Sequence, residues 1–294
     1  MISKKMSYRI GCAAILLTLG IAYFLPTTVK ALSINSLSQT HGSVSGGEEI
    51  IISGSGFTSL ENDKIKHVYA GAFNSFALTE GGELFAWGRN DSGQLGLGDN
   101  TDRQLPEKVD LNEKITSVAA GSYHTLVFSD TGKVFSWGRN ANGQLGLGDN
   151  VNYTTPQDIT AQFGTEKIIQ ISAGEYSSYA ISESGKIFSF GGNLYGQLGD
   201  GTNVDKNTPQ EISANFGGQT IKSISSGWYH VMAMSDSDNV FAWGLGQNGR
   251  LGNGSTLNVV IPVNITVNFN GAHIKEVSPN GNHSTAISEA GEFF

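Results

Sequence analysis

One four-residue phrase is written four times in this chain: Gly93-Gln94-Leu95-Gly96, Gly143-Gln144-Leu145-Gly146, Gly196-Gln197-Leu198-Gly199 and, with one change, Gly249-Arg250-Leu251-Gly252. The steps between copies are 50, 53 and 53 residues. A period of that size makes most of the protein a single structural unit stacked on itself, as in solenoids and propellers. It also places function on a surface shared between copies, because no one repeat owns a pocket.

Other positions keep the same step. An aromatic-Gly pair recurs as Trp87-Gly88, Trp137-Gly138, Phe190-Gly191 and Trp243-Gly244, and a proline as Pro106, Pro156, Pro209 and Pro262. A glycine recurs at Gly71, Gly121, Gly174 and Gly227, with Asn280 in the fifth copy. Asn is the non-glycine residue that best tolerates positive φ, so the position reads as a left-handed turn. Within a copy, Ile115 to Ala120, His124 to Phe128 and Val134 to Trp137 read as three strands separated by glycine turns. The segment around Pro156 reads as a fourth, outer strand, since proline is tolerated mainly at sheet edges. Small residues at Ala77, Val127, Ala180, Ala233 and Ala286 sit beside large ones at Leu78, Phe128, Ile181, Met234 and Ile287. That alternation lets neighbouring sheets nest face to face.

The pattern running from Ala120 to Pro156, with Ala-Gly, Phe-x-Trp-Gly, Asn and Gly-Gln-Leu-Gly, resembles the RCC1-type repeat (regulator of chromosome condensation) over residues 65–294. The resemblance implies an all-β, seven-bladed propeller. Four full units and the start of a fifth are present, so the chain reads as an incomplete propeller and a fragment of a longer protein. The departures are local: Asn280 for Gly, Asp238 for the turn residue matching Gly132, Gly246 for Asn and Arg250 for Gln.

The amino terminus is different in kind. Lys4, Lys5 and Arg9 precede an apolar run from Ile10 to Leu25, followed by Pro26 and Val29-Lys30-Ala31. This order reads as a secretory signal over residues 1–31; the rival is an uncleaved membrane-anchor helix through residues 10–25. Either reading exports the repeats, to the cell surface or beyond it, in an organism expected to be bacterial. Cys12, the single cysteine, lies inside that segment, so the exported part has no thiol chemistry. Cleavage after Ala31 would take the formal charge from −8 to −12 by removing four basic residues. Such an acidic domain repels phosphate backbones and is not expected to bind nucleic acid. Residues 32–64 form a linker in which Ser43 to Phe57 resembles the opening strands of an IPT/TIG domain. It is too short for a complete sandwich and is expected to lend a strand to the first repeat.

Little in the chain suggests chemistry. The glycine-rich loops lack the Gly-Lys-Ser/Thr and following helix of a phosphate cradle and read as turns. The stretches Asp99 to Asp102, Asp149 to Asn152 and Asp200 to Asn203 lack calcium-loop spacing and read as turn caps. His124, His230 and His283 share one repeat position, where the other copies carry Asn74 and Ser177. They read as hydrogen-bonded histidines at strand starts, and no metal site is assigned. No catalytic residue or cofactor is expected.

The remaining recurrent set is aromatic: Phe73, Tyr123, Tyr176 and Tyr229, two residues after the recurrent glycine, with Trp228 beside the last. Either these rings form a row on one rim that anchors a partner, or each tucks over its own sheet corner. The expected function is that of an exported, non-enzymatic scaffold binding a protein or glycan through rim loops. Two alternatives remain open. One is guanine-nucleotide exchange on a small GTPase, as in the family's namesake; the other is a secreted enzyme or inhibitor on a propeller scaffold.

Overall fold

The computed structural model describes strands Ser33–Leu37 and Ile52–Ser55 and residues 64–294. The signal or anchor segment, and most of the IPT/TIG-like stretch, lie outside the described residues. The two early strands pair with each other, antiparallel, in a two-stranded sheet of their own. Ile52–Ser55 therefore takes its partner from Ser33–Leu37 rather than from the first repeat.

From Ile65 onward the repeats become antiparallel four-stranded sheets in which sequence neighbours are spatial neighbours. In the second sheet these strands are Ile115–Ala120, His124–Ser129, Val134–Gly138 and Tyr153–Asp158. Four such sheets follow one another, then a two-strand start of a fifth, Ile274–Pro279 with Ser284–Ser288. Each recurrent proline lies in the fourth strand, which pairs only with the third, so the missing N–H falls on a free edge.

Packing is between sheets, not within a common centre. Phe76, Leu78 and Leu84 of the first sheet bury against Val118, Val127 and Trp137 of the second. The same interlock recurs between the second and third sheets around Leu126, Ala180 and Phe190, and between the third and fourth around Tyr179, Ala233 and Trp243. The small residues Val127, Ala180 and Ala233 are where the preceding sheet approaches, in keeping with the size alternation.

A feature absent from the sequence reading closes the interfaces that follow the second, third and fourth sheets. The connections between sheets carry short 3-10 turns, Thr160–Phe163, Ser213–Phe216 and Thr266–Phe269, that bury Phe163, Phe216 and Phe269. Their signal was present as Ile159, Ile212 and Ile265, each four residues before a phenylalanine. Four residues are too few to show helical period.

The recurrent glycine is explained differently from the sequence expectation. Neither Gly71, Gly121, Gly174 and Gly227 nor Asn280 has positive φ. The requirement is proximity: a Cβ on Gly121 would stand 2.7 Å from the Gly174 carbonyl oxygen of the next sheet, and one on Gly174 would stand 2.8 Å from that of Gly227. Positive φ belongs instead to the turn position of Gly132, where Asp238 holds φ 60° in the fourth sheet.

Candidate functional site

The Gly-Gln-Leu-Gly loops bind one sheet to the next. The Gln94 carbonyl accepts hydrogen bonds from Trp137 Nε1 (2.9 Å) and Thr125 Oγ1 (2.9 Å) of the second sheet. The Gln197 carbonyl likewise accepts from Trp243 Nε1 (2.8 Å) and from the Tyr179 hydroxyl (2.7 Å). The second glycine lies flat on the indole: a Cβ on Gly96 would be 2.8 Å from Trp137, and one on Gly199 2.8 Å from Trp243. Both glycines also have positive φ, so two independent demands exclude a side chain.

Each loop is tied internally by a buried asparagine. Asn140 Oδ1 accepts from the Leu145 N–H (2.9 Å), while its Nδ2 donates to the Asp149 carbonyl (3.0 Å) and carboxylate (2.8 Å). Asn90 and Asn193 hold their loops in the same way. These loop amides are consumed, so the loops are turns and not phosphate cradles. The aspartates act as caps: Asp99, Asp149 and Asp200 each accept the N–H two residues on. Asn140→Ala is expected to strand the Leu145 N–H and cost about 2–3 kcal/mol, read by urea denaturation.

The histidines form relays between sheets. His124 Nε2 lies 2.8 Å from Ser178 Oγ, and that hydroxyl donates to the Gln144 carbonyl at 2.7 Å. The serine proton is thus committed, so His124 must donate through Nε2 and keep Nδ1 bare. His230, Ser284 and the Arg250 carbonyl repeat the relay at 2.8 and 2.9 Å. Nδ1 of both rings is buried without a hydrogen-bond partner. Burial holds the His124 pKa down at about 3. Burial, with Arg250 and His283 nearby, holds His230 at about 4. His283 is exposed on the fifth sheet, and the three histidines are not brought together.

The recurrent aromatic set is left partly at the surface. Phe73 is 47% exposed, Trp228 39%, and Tyr123, Tyr176 and Tyr229 are half-buried. The rings stack on one another across sheets rather than each over its own corner. Phe73 to Tyr123 is 5.8 Å between centroids, Tyr123 to Tyr176 is 5.8 Å and nearly parallel, and Tyr176 to Tyr229 is 6.2 Å. Trp228 stands against Gly281 of the fifth sheet. Arg89 and Arg139, single residues past the aromatic-Gly pair, were not singled out in the sequence. The Arg89 guanidinium lies over Phe73 and Tyr123 (5.1 and 5.6 Å), and that of Arg139 over Tyr123 and Tyr176 (5.6 and 5.2 Å). Tyr195, also missed, sets its ring at 5.1 Å and 75° to Tyr229. The Tyr176 hydroxyl is pushed up to about 12 by burial and by the nearby Glu175 carboxylate, and Tyr229 is raised by the same two causes. The result is a ladder of rings and guanidiniums along one rim. The opposite rim carries paired charges instead, including Lys133–Glu113, Lys186–Glu166 and Lys222–Asp238.

Comparison with known proteins fits this architecture. The sequence profile of the RCC1-like domain matches residues 54–294. The ultraviolet-B receptor UVR8 of Arabidopsis thaliana is 34% identical over 206 residues, which is 69% of this chain and 46% of that one. The probable E3 ubiquitin-protein ligase HERC3 of Homo sapiens is 36% identical over 205 residues, 69% of this chain and 15% of that one. Among solved structures, Prp20p of Saccharomyces cerevisiae superposes with a TM-score of 0.70 at 23% identity, covering 78% of this chain and 56% of that one. The chain thus spans less than half the length of these two curated relatives. It is an all-β propeller built of four-stranded antiparallel sheets, and it belongs to the RCC1-like domain family.

Proposed function

We propose that this protein is an exported, non-enzymatic scaffold that holds a protein partner against the ring-and-arginine rim. One observation carries the reading. The loop asparagines, the buried indoles and the relay histidines His124 and His230 are spent on locking sheets or loops together, whereas the rings of Phe73, Tyr123, Tyr176 and Tyr229 recur as a stacked row and remain partly open to solvent. Half-exposed aromatic side chains fixed on a rigid frame lose little entropy on binding and are efficient anchors. A described relative fits the same class: the solved neighbour Prp20p is characterised for its binding to Gsp1p and histones. The HERC3 match covers 15% of that protein, so ligase activity is not carried over to this chain. Export is supported by the basic residues Lys4, Lys5 and Arg9 ahead of the apolar run from Ile10. Loss of the repeats from intact cells treated with protease is the expected result, and full protection would contradict export.

The binding face is tested by the triple change Tyr123→Ala, Tyr176→Ala and Trp228→Ala. Stacked rings contribute to stability, so the variant should lose about 2–3 kcal/mol yet remain folded. Proteins retained by the immobilised wild-type chain should be lost from the variant. They should be kept by a control altered on the opposite rim at Lys133 and Lys186. Equal retention by the triple variant, or loss only in the control, would overturn the assignment.

A further inference from the structure

The ladder has a missing rung. The residue following the aromatic-Gly pair is Arg89, Arg139, Gly192 and Leu245 in successive repeats. Arg89 bridges the first pair of rings and Arg139 the second. At the third pair, Tyr176 and Tyr229, the repeat supplies Gly192: Arg139 reaches Tyr176 from the preceding step, but among the described residues no guanidinium or ammonium lies over Tyr229 or bridges the two rings. The surroundings remain those of a cation site. Tyr195 adds a third ring against Tyr229, and the Glu175 carboxylate lies near enough to the Tyr176 and Tyr229 hydroxyls to help raise the pKa of both.

We propose that the step between Tyr176 and Tyr229, walled by Tyr195 and Glu175 and left open by Gly192, receives an arginine side chain from the protein partner. The inference rests on the reading of this rim as a protein-binding face and specifies the chemistry that the rim selects. The molecule itself shows the occupant twice, since Arg89 and Arg139 place their guanidiniums over the equivalent ring pairs. Ring faces attract cations electrostatically, and a neighbouring carboxylate strengthens that attraction. A guanidinium suits the step better than an ammonium because it is planar and weakly hydrated, and it stacks on rings. The formal charge of −8 draws a basic segment toward the chain. A sugar would use the ring faces but gain nothing from the combination of rings with a carboxylate positioned for a cation.

The test is fluorescence anisotropy of a labelled Gly-Ser-Arg-Ser-Gly peptide on the full chain at about 0.15 M salt, where long-range attraction is screened. Twins carrying citrulline or lysine in place of arginine, and the oligosaccharide cellohexaose as competitor, complete the set. The arginine peptide is expected to bind about tenfold more tightly than its neutral citrulline twin, and more tightly than the lysine peptide. Gly192→Arg fills the step from within. Its Cβ would stand 3.1 Å from Tyr176 Cβ, which a small shift relieves, and binding should fall about tenfold. Glu175→Gln should weaken binding about threefold and serves if Gly192→Arg does not fold. Equal binding of the arginine and citrulline peptides, no binding of either, or wild-type affinity in a folded Gly192→Arg chain would overturn the proposal. Partner proteins that are lost from the triple aromatic variant but kept by Gly192→Arg would overturn this step alone. Displacement of the peptide by cellohexaose in preference to other peptides would overturn the protein reading with it.

Discussion

Trp243→Ala is expected to cost about 4 kcal/mol and to lower the melting temperature by roughly 8–16 °C. The indole is fully buried in the core shared by the third and fourth sheets. It meets Tyr179 and Phe216 edge to face, at 6.5 and 5.6 Å between centroids, so its removal forfeits packing on both sides of the interface. It also donates Nε1–H to the Gln197 carbonyl. That carbonyl keeps a second donor in the Tyr179 hydroxyl, so the penalty is a cavity more than a stranded acceptor. Trp243→Phe should cost much less, because Phe190 fills the matching place in the third sheet. Calorimetry on the full chain reads both. A loss below about 1 kcal/mol for the alanine variant would mean that the sheets do not nest through this side chain.

Acid should destabilise the protein through its two relay histidines. Unfolded, each titrates near its ordinary value of about 6.5. Folded, His124 titrates at about 3 and His230 at about 4. Both values are depressed, and a histidine gains charge on protonation, so the unfolded chain takes up protons first as pH falls. Stability is therefore whole above about pH 6.5 and declines below it. The decline is about 1.4 kcal/mol per pH unit for each ring, until the folded pKa is reached. At pH 4.5 the pair together should have removed roughly 5 kcal/mol. The cause is steric and dielectric: a second proton would sit on a buried Nδ1 that has no acceptor. Arg250 and His283 add a like-charge penalty at His230. The repeat suggests the control, since Asn74 and Ser177 occupy the same position in the first and third sheets. His124→Asn with His230→Asn should flatten the difference in stability between pH 7 and pH 4.5 by several kcal/mol in urea titrations. An unchanged slope in the double variant would place the acid sensitivity in the carboxylates instead.

Much of the fold was written in the period. Pro106 and its equivalents marked edge strands because proline lacks a donor, and the Phe-x-Trp pairs marked buried third strands. Contacts across the period were harder to read. The recurrence of Trp137 and Gln94 was plain, but nothing in one dimension shows that an indole of one copy donates to a backbone carbonyl of the copy before it. The glycine at Gly121 was misread for a related reason. A glycine demanded by a neighbouring backbone and one demanded by φ look alike in sequence, and only the approach of Gly174 separates them. The ring positions were legible as a recurrent set, with a row and separate corner packing both open. Their stacking across sheets was not, because it depends on the loop after the first strand and the loop after the third sharing a rim. That sharing also brings Arg89 and Arg139 to the rings, and it gives meaning to Gly192, a departure easily passed over as one more glycine.

The most direct measurement is hydroxyl-radical footprinting of the full chain, alone and while holding the proteins it captures. Tyr123, Tyr176, Trp228 and Tyr229 should be labelled in the free chain, because they are partly open to solvent, and protected in the complex. Leu105 and Ile261, exposed on the outer strands, should be labelled alike in both. Protection of those outer residues, with the four rings oxidised equally in the two states, would contradict a partner-binding rim.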